Sequence, residues 1–205
     1  MGRRGSLMQR IELADAELLY CRAWCPPQEA DRWLRELIAT LPWSQPSIRL
    51  FGRQVKVPRE VAWIGDPEAR YRYSGLDNQP SPWPPLLAAI RQRLERELGR
   101  PFNGVLVNHY RDGQDAMGWH SDDEPELGGD PLVASLSLGA TRRFDLRRKG
   151  QTRIAHSLEL EHGSLLVMGG LTQHHWQHQI ARTTRVHAPR VNLTFRQIIA
   201  SRTDR

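Results

Sequence analysis

From Gly104 to Ile198 the chain runs as short apolar-rich segments cut at close intervals by glycine turns, with no helical period between them. Gly104–Tyr110, Leu132–Leu138, Arg142–Leu146, Ile154–Leu160, Ser164–Val167, His175–Ile180 and Arg190–Ile198 read as strands. Asp112-Gly113, Gly128-Gly129, Lys149-Gly150, His162-Gly163 and Gly169-Gly170 separate them. Many short strands at this spacing predict a double-sheet jelly roll or a small barrel. Such a fold can hold a ligand in its mouth.

The first hundred residues differ. Residues 1–25 mix charge with short apolar runs and read as an opening strand or turn. Ala30, Trp33, Leu34, Leu37 and Ile38 then recur at helical steps until Pro42. Between residues 43 and 75, short β-like pieces are broken by Gly52, Pro58, Gly65 and Pro67, which predicts hairpins and a loop rather than a regular sheet. A proline-rich turn leads into a second amphipathic helix, with Leu86, Leu87, Ile90, Leu94 and Leu98 on one face and Gly99 closing it. The expected fold class is therefore α+β: a double-stranded β-helix with N-terminal helices covering one sheet. Three segments are expected: an extension and first helix over 1–45, recognition hairpins and second helix over 46–100, and the jelly-roll core over 101–205.

Charge bears on the partner. The chain carries a net +6 with a pI near 10, which favours a polyanion. No apolar run reaches the length of a membrane span, and Met1–Leu7 lacks the apolar stretch of a signal peptide. A monomer with no membrane partner is expected. Cys21 and Cys25 have no second ligand pair and read as idle thiols in a reducing compartment.

The stretch Trp119–Glu124, W-H-S-D-D-E, carries the chemistry. In an extended strand His120 and Asp122 leave the same face and can meet one metal ion. Two imidazoles and one carboxylate with open positions are the donor set of a non-haem Fe(II) oxygenase. The second imidazole must come from later in the chain. Trp176, His178 and Ile180 alternate on one face of their strand, so His178 is the inward histidine, while His174 and His175 read as surface or supporting groups. Iron of this kind works with an α-keto acid whose far carboxylate needs a cation. Arg190, Asn192, Thr194 and Arg196 share one face of the last strand, opposite Val191, Leu193 and Phe195. That face is either solvated or a carboxylate pocket, and spacing alone leaves both readings standing.

Four motifs in this order carry a resemblance: N-H-Y-R-D-G (108–113), W-H-S-D-D-E (119–124), H-W-Q-H (175–178) and A-P-R-V-N-L-T-F-R (188–196). The chain resembles the AlkB family of Fe(II)/2-oxoglutarate-dependent dioxygenases over about Phe51 to Ile199. The stretches L-F-G (50–52) and Y-R-Y-S-G-L (71–76) make it look more similar to the duplex-acting vertebrate nuclear members than to the founding bacterial enzyme. The resemblance implies that His120, Asp122 and His178 bind iron and that Arg190 clamps the far carboxylate of 2-oxoglutarate. It implies Arg196 at the other carboxylate, with Asn108, Tyr110, Asn192 and Thr194 lining the pocket. Tyr71, Tyr73 and Ser74 match a lid over a flipped base, although Tyr73 departs from the phenylalanine of similar members. Leu50, Phe51 and Gly52 match a finger that fills the vacated base stack. Asp123 and Glu124, beside Asp122, would favour a cationic base.

The implied activity is oxidative demethylation of 1-methyladenine and 3-methylcytosine in DNA, using Fe(II), 2-oxoglutarate and O2 and releasing formaldehyde. A ring-methylated base cannot pair normally, so its extrusion from a duplex costs less. Alternatives are an RNA demethylase, a protein or small-molecule hydroxylase on the same barrel, and a non-catalytic nucleic-acid-binding module. The expected location is cytoplasmic in a bacterial host and nuclear in a eukaryotic one.

Overall fold

The computed structural model describes residues 8–50, 53–69, 71–73 and 76–199. In chain order the elements are β1 (Gln9–Ile11), β2 (Glu17–Cys21), α1 (Pro27–Thr40), β3 (Ser47–Leu50), β4 (Arg53–Lys56) and β5 (Glu60–Gly65). There follow β6 (Tyr71–Tyr73), β7 (Leu76–Asn78), α2 (Pro85–Leu98), β8 (Gly104–Tyr110), β9 (Met117–His120) and a 3-10 turn at Pro125–Leu127. The rest are β10 (Val133–Gly139), β11 (Arg142–Arg148), β12 (His156–Leu160), β13 (Ser164–Gly169), α3 (Thr172–His175), β14 (Trp176–Ile180) and β15 (Arg190–Arg196).

Two antiparallel sheets face one another. The larger runs β1-β2-β13-β10-β15-β8-β5 and the smaller β12-β11-β14-β9, with β3-β4 and β6-β7 as separate hairpins. This is the expected jelly roll. Its large sheet takes strands from all parts of the chain, including β2 and β5.

The sheet's two faces are sorted by alternation. On β15, Val191, Leu193 and Phe195 join the cluster under the helices, with Trp33 and Leu37 of α1 and Leu87, Ile90 and Leu94 of α2. Burying a side chain such as Phe195 stabilises by roughly 1.5–3 kcal/mol. Both helices place proline in the first turn, where its missing N–H costs nothing. Gly99 ends α2 at φ 65°, a left-handed conformation that glycine adopts without strain. Cys21 and Cys25 are buried inside this helix-covered cluster. Tyr110, Phe144, Leu146, Leu166, Met168, Trp176 and Ile180 form a second cluster between the sheets.

Three expectations are corrected. Residues 60–65 form a regular strand paired along β8, not a loop. The run Val61–Ile64 is apolar throughout, so the sequence shows no alternation to mark it, although Ala62 and Ile64 are buried while Val61 and Trp63 are half-buried. His175 lies in the one-turn helix α3, so the strand carrying His178 starts at Trp176. The strand bearing His120 ends at that residue, so Asp122 and Glu124 do not continue it. Among the described residues, no helix is long and apolar enough to cross a membrane.

Candidate metal and co-substrate site

The inner face of the large sheet is built from aligned polar rungs. Antiparallel register sets Asn108 of β8 against Asn192 of β15 and Tyr110 against Arg190. On the other side of β15, Asn192 faces Ser137 and Thr194 faces Ser135 of β10. Every second residue of β15 from Arg190 to Arg196 is therefore polar, and Asn108, Tyr110, Ser135 and Ser137 of its neighbours share that face, while the apolar residues between them sit under the helices. The solvated-face reading of β15 fails, since all of Arg190–Arg196 is buried.

Across the cavity the small sheet supplies imidazoles. His178 on β14 pairs in register with His120 on β9, and their ring centroids are 4.2 Å apart. Asp122 lies two residues past the end of β9, where Gln173 Oε1 accepts its backbone N–H at 2.9 Å. One ligand atom from each of His120, Asp122 and His178 lies within 4.8 Å of the others. The Nδ1 of His120 donates to Gly118 O at 2.8 Å, which leaves Nε2 as its lone-pair nitrogen. Phe144 stacks on the His178 ring with centroids 5.1 Å apart.

Charge states suit a cation. Burial, reinforced by the His120 ring, pushes His178 down to about 3, so it is neutral at physiological pH. Burial also lowers His120. Burial alone would raise Asp122, but the Arg196 guanidinium and the two imidazoles outweigh it and hold the carboxyl below its usual range. Arg196 Nη2 donates to Asp122 Oδ1 at 2.5 Å, so in this structure it braces the carboxylate of the candidate metal set.

Arg190 tests the fit of a dicarboxylate. It is 1% exposed, and Nη2 donates to Ser137 Oγ at 2.9 Å. Its Nε and Nη1 are buried with no protein partner among the described residues. Two orphan donors on one planar fork match a carboxylate's two oxygens. Burial pushes the guanidinium down to about 10, and it stays charged at neutral pH.

All nine residues expected for metal and co-substrate line one cavity: His120, Asp122, His178, Asn108, Tyr110, Arg190, Asn192, Thr194 and Arg196. The base-contact set fares differently. Asp123 is exposed and bonded to Lys149 Nζ at 2.6 Å, which offsets its charge. Glu124 is half-buried and is not among the cavity-lining residues. The backbone of Tyr71–Tyr73 pairs with β7, and Leu50 ends β3, but their side chains lie outside the described residues, as do Phe51, Gly52 and Ser74 altogether. Spacing alone missed Ser135, Ser137 and Gln173. The alternation S-L-S-L at 135–138 marks both serines as one face; Gln173 carries no such signal.

A sequence profile described as the 2OG-Fe(II) oxygenase superfamily matches residues 17–196. Human "Alpha-ketoglutarate-dependent dioxygenase alkB homolog 3" is 41% identical over 180 residues, covering 83% of this chain and 62% of that protein. Mouse "DNA oxidative demethylase ALKBH2" is 42% identical over 184 residues, covering 85% and 77%. The human protein of that name is 43% identical over 162 residues, covering 76% and 62%. The chain thus spans about three-fifths of the length of both human relatives. The solved structure of OsALKBH1 superposes with a TM-score of 0.63 at 18% identity, over 93% of this chain and all of that one, which shows the shared fold.

Proposed function

The chain belongs to the 2OG-Fe(II) oxygenase superfamily, among its AlkB homologues, and we propose that it is an oxidative demethylase of N-alkylated bases in DNA. The observation that carries this reading is one cavity holding both a His-Asp-His metal set and a buried arginine with two orphan donors. Relatives named DNA oxidative demethylase supply the substrate class.

His120, Asp122 and His178 would hold Fe(II), leaving open positions for co-substrate and O2. When bound, iron with 2-oxoglutarate and O2 supplies the oxidation: the N-methyl group becomes hydroxymethyl while the keto acid becomes succinate and CO2, and the hydroxymethyl leaves as formaldehyde. The chain's part is orientation and electrostatics. Arg190 would pair with the far carboxylate of the co-substrate, and Ser137 sets its rotation. Arg196 keeps Asp122 ionised and fixed. Neutral imidazoles at His120 and His178 need no proton removed before they bind a metal. The anionic Asp122 would also favour a cationic methylated base over a neutral one.

The lid (Tyr71, Tyr73, Ser74) and finger (Leu50, Phe51, Gly52) roles rest on sequence resemblance. One hairpin precedes β5 in the chain and the other follows it, and β5 pairs along β8, the strand that carries Asn108 and Tyr110. The test is whether purified protein with Fe(II) converts 2-oxoglutarate to succinate when an oligonucleotide bearing 1-methyladenine or 3-methylcytosine is added. Release of one formaldehyde per succinate supports the reading. Turnover with protein or small-molecule substrates in place of methylated DNA would favour a hydroxylase of the same barrel.

A further inference from the structure

Arg59 lies in the turn between β4 and β5, yet only 4% of it is exposed. Among the described residues it forms no ion pair with a carboxylate. Its Nε donates to the Asn108 Oδ1 at 2.7 Å, and its Nη1 to Ala116 O at 3.3 Å. Burying a guanidinium on two neutral acceptors is expensive, so the position calls for a compensating role.

That role follows from the amide it touches. A carboxamide has an accepting end and a donating end, and either can be turned toward a neighbour. A guanidinium only donates, so an Asn108 flipped the other way would set donor against donor. Arg59 therefore locks the Oδ1 toward itself and the Nδ2 away. Asn108 lines the cavity, and its Nδ2 has no protein partner among the described residues. Asn192, its neighbour across the rung, is different: its Nδ2 donates to Ser135 Oγ at 2.9 Å and Leu136 O at 3.1 Å, and its Oδ1 accepts from Thr194. Of this pair of cavity-lining asparagines, Asn108 alone has an NH2 group with no protein partner among the described residues.

Resting on the proposed co-substrate, we propose that Arg59 is a positioning residue, which holds the Asn108 amide so that its NH2 donates to a carboxylate oxygen of 2-oxoglutarate. Nothing in the sequence marks it, since it sits in a turn rather than on an alternating strand.

A purely structural role is the competing explanation. Pro58 O accepts from Ala116 N at 2.8 Å, so this turn also anchors the chain entering β9. Calorimetric titration of 2-oxoglutarate into the Mn(II)-loaded protein separates the two. Arg59→Met keeps the apolar stem and removes the donors, and its affinity for 2-oxoglutarate is expected to fall about tenfold. Asn108→Ala is expected to fall by a similar factor, and the double variant no further, because Arg59 acts through Asn108. Arg59→Lys, which keeps the charge and a donor, should lose about threefold through its lack of a planar fork. Additive losses in the double variant, or unchanged affinity in both Arg59 variants, would overturn the proposal. If the wild-type protein binds Mn(II) but no 2-oxoglutarate, the reading of the cavity fails first and this role falls with it.

Discussion

Across the β9–β14 pair, His120 and His178 stand in register with their rings 4.2 Å apart, and Asp122 Oδ2 lies 3.9 Å from His178 Nε2. His174 and His175 are close in sequence but belong to α3. His174 Nε2 bonds to Gly129 O at 2.8 Å. His178→Ala is therefore expected to abolish Mn(II) binding and turnover, whereas His174→Ala and His175→Ala keep both. Calorimetry with Mn(II) on the three variants checks this, and retained metal affinity in His178→Ala would remove it from the ligand set.

Arg190 places two unpaired donors in the cavity beside the Tyr110 ring, 5.1 Å from the ring centroid. Lysine keeps the charge but cannot make two parallel hydrogen bonds. Arg190→Lys should therefore raise the KM for 2-oxoglutarate by about tenfold or more, since a charged hydrogen bond contributes roughly 1.5–3 kcal/mol. Steady-state kinetics at varied 2-oxoglutarate decide it; an unchanged KM would show that the fork does not meet the co-substrate.

Gly113 closes the N-H-Y-R-D-G motif against the loop after β14. Its N–H donates to Val186 O and its carbonyl accepts from Thr183 N, both at 2.8 Å. A Cβ here would meet Thr183 O at 2.1 Å and Val186 O at 2.8 Å, and neither backbone atom can yield cheaply. Gly113→Ala should lower Tm by roughly 3–10 °C. Calorimetric melting of the variant is the check, with an unchanged Tm as the opposing result.

Asp145 projects from β11 and bonds Ser157 Oγ at 2.6 Å, Arg143 Nε at 2.8 Å and Gln179 Nε2 at 3.3 Å, tying three strands of the small sheet. Burial would raise its carboxyl, but these bonds hold it below the ordinary 3.8. A carboxyl depressed in the folded state adds stability above its unfolded value, and that stability is lost as the pH falls through the folded one. Asp145→Asn should cost about 1–3 kcal/mol at pH 7 and much less at pH 3. Urea unfolding at both values tests this; an equal loss at each would mean that the charge is not what stabilises.

How much was legible follows from which signals are local. Glycine turns and alternation marked β8 and β10 to β15, though not the short β9, and the phase of His178 between Trp176 and Ile180 survives intact. β5 escaped because Val61–Ile64 is apolar at every position, so its sequence does not alternate even though its burial does. Glu124 does not follow the period of β9, because that strand ends at His120 and Pro125 opens a 3-10 turn. Arg59 and Gln173 reach the site only through tertiary contacts, 49 and 51 residues from their partners Asn108 and Asp122, which no local pattern records.

The central claim is that this cavity couples 2-oxoglutarate to a methylated base in DNA. Succinate measured with Fe(II), O2 and 2-oxoglutarate, with and without an oligonucleotide carrying 1-methyladenine or 3-methylcytosine, tests it most directly. Succinate should rise many-fold with the methylated strand, match the formaldehyde released, and vanish in His178→Ala. Succinate formed at one rate with methylated, unmethylated or no oligonucleotide would contradict the account.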